Sequence, residues 1–111
     1  MIITDEISKH LKDFESLCAN HNVKYVYAFG SAVTNHFDKK NSDFDLIVEI
    51  DEIDPIERGE KLISLWDTFE NFFNRKVDLL TDSSIKNPFL RKSINSTKVL
   101  IYDGSRQKVL I

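Results

Sequence analysis

Apolar side chains recur at Ile3, Ile7, Leu11, Phe14, Leu17 and Cys18, the three-and-four spacing of one helical face. This spacing predicts a first helix, capped by Thr4 or Asp5 and closed by Asn20-His21-Asn22. Val23 to Phe29 then turns to β-branched and aromatic residues, the composition of a buried strand, which Gly30-Ser31 stops. A short helix is expected to begin within Ser31 to Phe37, followed by a polar loop from Asp38 to Ser42. Asp43 to Ile50 reads as a second strand. Alternation puts Phe44, Leu46, Val48 and Ile50 on one face and Asp43, Asp45, Ile47 and Glu49 on the other. Pro55 suits the first turn of a helix whose apolar face carries Leu62, Trp66, Phe69 and Phe73. Phe72 and Phe73 point apart on such a helix, so one of the two is expected at an interface. Arg75 to Thr81 reads as a third strand, Asn87-Pro88 as the cap of a helix through Ile94, and Lys98 to Tyr102 as a closing strand ended by Asp103-Gly104. Helices alternating with strands predict an α/β (α+β) fold, with several strands in one small sheet packed by helices.

Composition narrows the function. A chain of 111 residues is expected to form a single domain, residues 1–111, with no room for a second catalytic lobe. Its 41% hydrophobic and 30% charged residues indicate a globular chain and exclude a disordered one. A net charge of -3 argues against a protein that coats nucleic acid. Cys18 is the only cysteine, which excludes an intramolecular disulfide and a cysteine zinc site. It is expected in the core, reduced, in a cytoplasmic protein. The N-terminus lacks the pattern of a signal peptide, and the apolar runs are too short to cross a bilayer. His10, His21 and His36 lack the spacing of a helical zinc motif, and Arg58 and Arg91 read as solvated helix residues.

Three features carry candidate chemistry. Asp43 and Asp45 stand at i and i+2 of a strand, on one side, with Cα atoms roughly 6–7 Å apart. Two carboxylates this close repel unless a cation or a proton separates them. Mg²⁺ prefers hard oxygen ligands and keeps sites for water and phosphate, so the pair suits Mg²⁺ with a nucleoside triphosphate. Asp78, inside Lys76-Val-Asp-Leu-Leu80, is a third carboxylate; on a neighbouring strand it would allow two metals. Gly30 permits a sharp turn after the first strand, and Ser31 offers a hydroxyl and N–H groups suited to the terminal phosphates of ATP. Lys39 and Lys40 lie in the loop between the two motifs. Each feature alone has an ordinary structural explanation. Together, with three aspartates at apolar strands where Asp is disfavoured, they point to nucleotide chemistry.

Phe29-Gly-Ser-Ala32, Ser42-Asp-Phe-Asp-Leu-Ile-Val48 and Val77-Asp-Leu-Leu-Thr81 resemble the nucleotidyltransferase superfamily of DNA polymerase beta type. The chain is most similar to its minimal nucleotidyltransferases, the MNT proteins paired with HEPN-domain proteins. The stretch from Ala32 to Ser42 is one residue longer than the family's spacer, in a loop that tolerates insertion. Asn87 to Ile94 and Val99 to Tyr102 are also similar to the tails of such proteins. The resemblance implies the nucleotidyltransferase fold, with Gly30 and Ser31 binding the nucleotide and Asp43, Asp45 and Asp78 as catalytic, metal-binding residues for two Mg²⁺ ions. It implies transfer of AMP from ATP to a hydroxyl, and an antitoxin that adenylylates a tyrosine of a HEPN toxin. Two alternatives remain open at this stage. The fold could neutralise its partner by binding alone, or the acceptor could be a small molecule or an RNA end, which the short chain and the acidic charge disfavour.

Overall fold

The structure, a computed structural model, describes residues 1–34, 38 and 42–110. The elements run α1 (Ile2–Ser8), α2 (Leu11–Asn20), β1 (Val23–Phe29), β2 (Phe44–Ile50), α3 (Pro55–Phe73), β3 (Val77–Leu80), α4 (Pro88–Thr97), β4 (Val99–Asp103) and β5 (Lys108–Val109), with single 3₁₀ turns at Gly30–Val33 and Asp82–Ser84. One mixed sheet has the order β3-β2-β1-β4-β5. Among the described residues, only β2 and β3 pair in parallel; the other pairs are antiparallel. A parallel pair cannot be joined by a hairpin, and α3 supplies the crossover.

The alternation read from the sequence decides which face is filled. Phe44, Leu46, Val48 and Ile50 are buried in the main core, with Val26 and Ala28 of β1. Helices α1, α2 and α3 cover that face through Ile3, Ile7, Phe14, Cys18, Leu65, Phe69 and Phe73. Phe14 stacks on Phe69 with ring centroids 5.6 Å apart and 10° between planes. A second, smaller cluster of Phe29, Ile47, Ile85 and Ile94 joins α4 to the sheet. The acidic positions of β2 share this second side.

Several expectations need correction. The single first helix is two helices, broken at His10, which has φ -140° and ψ 51°. The apolar spacing runs through the break because both pieces lie on one core. Thr4 and Asp5 do not cap α1; Met1 is its N-cap, and the Thr4 hydroxyl donates to the Met1 carbonyl. The buried stripe of α3 is Leu65, Phe69 and Phe73. Trp66 stays at the margin, 39% exposed, with its indole N–H donating to the Val77 carbonyl at 2.7 Å. Phe73 is core and Phe72 is half-buried edge-on against it, so neither is a free anchor. The expected close at Tyr102 is followed by β5, paired through Tyr102↔Val109 and Asp103↔Lys108. The Asp54 and Asn87 caps, each followed by proline, form as the sequence predicts for Asn87 and its Pro88. Among the described residues, no helix is long and apolar enough to cross a membrane.

Candidate active site

The three motifs meet through strand register. Phe29, the last residue of β1, pairs with Asp45. Asp45 pairs across the parallel ladder with Asp78. Adjacent strands lie about 5 Å apart, so the end of β1 and the starts of β2 and β3 bring the glycine-serine bend and two carboxylates together. Asp43 is exposed one residue ahead of β2, which begins at Phe44 and not at Asp43. There the Phe44 N–H donates to the Lys76 carbonyl and starts the pairing.

Gly30 is required twice over. Its φ is +67°, and a Cβ built on it would stand 2.8 Å from Asp45 Oδ2. Gly30→Ala is therefore expected to lose about 1–2 kcal/mol from the left-handed conformation alone, and to push the Asp45 carboxylate off its position. A denaturant midpoint checks the first effect. Ser31 is half-buried in the 3₁₀ turn, and its carbonyl accepts from the Thr34 N–H. This turn replaces the α-helix expected from Ser31; the stretch 35–37, with His36, and Lys39 and Lys40 lie outside the described residues. A single turn has little dipole, so what it can offer an anion is its individual N–H groups and the hydroxyl.

Asp45 is half-buried, and its pKa is pushed up to about 6 by burial first, then by the charges of Asp78 and Asp43. The raised value has a defined sign for stability. The contribution is fully present below the ordinary aspartate range and is lost as pH rises through about 6. At pH 7–8 the charged group opposes folding. Asp45→Asn is thus expected to stabilise the protein by about 1 kcal/mol at pH 7.5, a figure reduced for solvent screening, and to change little near pH 4. Thermal melts at both pH values test it.

A cavity of about 270 Å³ lined by Asn22, Lys24, Asp51 and Tyr102 lies at the opposite end of β1. Among the described residues, no three His, Cys, Asp or Glu side chains are already drawn into a metal-enclosing group. Like charges on a wet surface spread apart, and Mg²⁺ takes only part of its shell from protein. An all-carboxylate set with an unfilled glycine beside it fits a hard cation shared with phosphate.

Other polar residues have structural roles. The Arg91 guanidinium donates to Asp82 Oδ1 at 3.0 Å and to the Asp82 and Ile85 carbonyls at 2.9 and 3.1 Å, clamping the turn before α4. Arg58 donates to the Glu52 carbonyl at 3.1 Å. His21 is half-buried, its ring nitrogens 2.7 Å from the Leu17 carbonyl and 3.0 Å from Ser64 Oγ, which ties α2 to α3. Two cations on the carboxylate side of the sheet escaped the sequence reading. Lys76 precedes Asp78 by two residues and so shares its face, which alternation could have revealed. Lys98 Nζ stands 4.7 Å above the Tyr27 ring, a contact set by the end of α4 that no local pattern signals.

Residues 12–107 match the family model described as Polymerase beta, Nucleotidyltransferase. Two candidate protein adenylyltransferases of Methanocaldococcus jannaschii, MJ0126 and MJ1217, are each 34% identical over 99 residues, spanning 89% of this chain and 94% of theirs. Among solved structures, a toxin–antitoxin complex with AMP-PNP has a chain of the same fold, with TM-score 0.58 and 20% identity over 83% of this chain and 72% of that one. A candidate minimal nucleotidyltransferase aligns with TM-score 0.54 and 24% identity over 82% of this chain and 92% of that one. The strand-end geometry and these likenesses agree, and the chain belongs to the polymerase beta nucleotidyltransferase family.

Proposed function

We propose that this nucleotidyltransferase transfers AMP from ATP to a hydroxyl of a partner protein, with Asp43, Asp45 and Asp78 as its catalytic set. The observation that carries the reading is the register that sets Asp45 across from Asp78 and beside Gly30. Asp43 and Asp45 would hold both Mg²⁺ ions, and Asp78 would share the one nearer the acceptor. When bound, the metals supply positive charge to the attacking oxygen and the departing pyrophosphate. The Gly30-Ser31 N–H groups and the Ser31 hydroxyl hold the terminal phosphates, fixing the α-phosphorus in line with the acceptor. Asp78 receives the acceptor's proton as the new oxygen–phosphorus bond forms and the bond to pyrophosphate breaks. Gly30, lacking a side chain, leaves Asp45 Oδ2 open to this complex.

The relatives named as candidate protein adenylyltransferases support a protein acceptor, and the toxin–antitoxin complexes that share the fold support an antitoxin role. The resemblance to MNT proteins supports a HEPN toxin as the acceptor, with a tyrosine as the modified residue and the cytoplasm as the setting. The test is incubation with ATP labelled at the α-phosphate, Mg²⁺ and the protein encoded by the adjacent gene. Label on a tyrosine of that protein is expected. Equal labelling by Asp43→Asn and Asp45→Asn variants would reject the assigned roles, and labelling of serine alone would reject the tyrosine.

A further inference from the structure

The first half of α3, with Ile53 just ahead of it, presents a ridge that the chain's own packing does not use. Ile53, Ile56 and Ile63 are 92%, 74% and 71% exposed. Ile56, Gly59 and Ile63 follow one another at i, i+3 and i+7, so they share one side of the helix. Gly59 has no left-handed conformation to justify it, and a Cβ there would meet nothing within 4 Å. A glycine inside a helix lowers its stability relative to alanine. Neither backbone strain nor internal crowding explains this one. The open space above it would let another molecule approach the helix closely beside the two isoleucines.

Charge identifies the kind of molecule. From residue 51 to 67 the chain carries Asp51, Glu52, Asp54, Glu57, Glu60 and Asp67 against only Arg58 and Lys61. Lys61 is already engaged by Glu52 at 2.6 Å. The whole chain has a net charge of -3, so its acidity is concentrated around this ridge. Two copies packed by the same face would oppose carboxylate to carboxylate. We propose that the ridge docks the acceptor protein itself, through an apolar surface rimmed by lysine and arginine; this rests on the protein-acceptor reading above. α3 starts beyond Ile50, about 16 Å along β2 from Asp45 at the rise of a strand. Docking and chemistry therefore occupy separate ends of the sheet.

The experiment uses the full chain and the protein encoded by the adjacent gene. It compares wild type with the Ile56→Ser/Ile63→Ser double variant and with Gly59→Ala. Both variants are expected to weaken the complex at least about tenfold and to raise KM for the acceptor with kcat little changed. Both should keep Mg²⁺-dependent ATP binding, and Gly59→Ala should raise Tm by a few degrees. The complex should also weaken between 50 and 500 mM salt, roughly estimated from screening of exposed charge. Unchanged complex affinity and KM in variants that still bind ATP would overturn the ridge and leave the proposed function standing. A wild-type dimer that the double variant splits would overturn the choice of partner. A ridge-dependent complex without any labelling would defeat the adenylylation reading and, with it, the claim that the docked protein is the acceptor. No complex with wild type would overturn the docking proposal.

Discussion

Asp45→Asn is expected to lower AMP transfer by about 10³-fold, close to 4 kcal/mol of transition-state stabilisation. Asparagine keeps the shape of the side chain and removes the charge that would face the metals. It would also remove the charge whose burial, together with repulsion from Asp78 and Asp43, holds the Asp45 pKa up near 6. The variant should therefore be the more stable protein at neutral pH and almost inactive. This opposition separates chemistry from folding, because a loss caused by unfolding would lower both. Asp78→Asn is expected to lose transfer to a similar extent. Ser31→Ala, which removes one hydrogen bond to a charged phosphate, should lose less, about ten- to a hundredfold. Initial rates of label transfer, read alongside thermal melts of the same preparations, give the comparison.

Phe14→Ala is expected to have the largest effect on the fold, a loss of about 3–5 kcal/mol. Phe14 is fully buried. Its ring lies against Phe69, Phe72, Phe73 and Tyr102, with centroids between 5.3 and 6.4 Å away. It is the point where α2, α3 and β4 meet, so the cavity could not close without moving all three. A domain of this size has about 5–15 kcal/mol in total, and the variant should melt more than about 15 °C lower. Truncating half-buried Phe72 should cost much less. Chemical denaturation followed by circular dichroism measures both, and near-equal losses would contradict the placement of the core.

The elements that build the site were legible because period decides them. Alternation in β2 sorted Phe44, Leu46, Val48 and Ile50 to the core and Asp45 to the other side, as the structure has them, while Asp43 falls just ahead of the strand. Asn87 capping α4 ahead of Pro88 was equally readable, since its side chain accepts from Phe89 and Leu90 as local chemistry requires. The break at His10 was not readable, because two helices on one core keep one apolar stripe. Trp66 fits the helical period yet lies at the margin, where its N–H finds a strand carbonyl. The pairing of Asp45 with Asp78 is a long-range register set by how α3 returns the chain. Sequence motifs suggested that meeting, and only the sheet order supplies it.

The most direct measurement is a calorimetric titration of ATP into the purified chain, with and without Mg²⁺, beside Asp43→Asn. Saturable binding that requires Mg²⁺ and disappears in the variant is the predicted result. Binding that ignores Mg²⁺, or that Asp43→Asn retains at equal strength, would contradict a carboxylate-held, metal-bound triphosphate at this strand end.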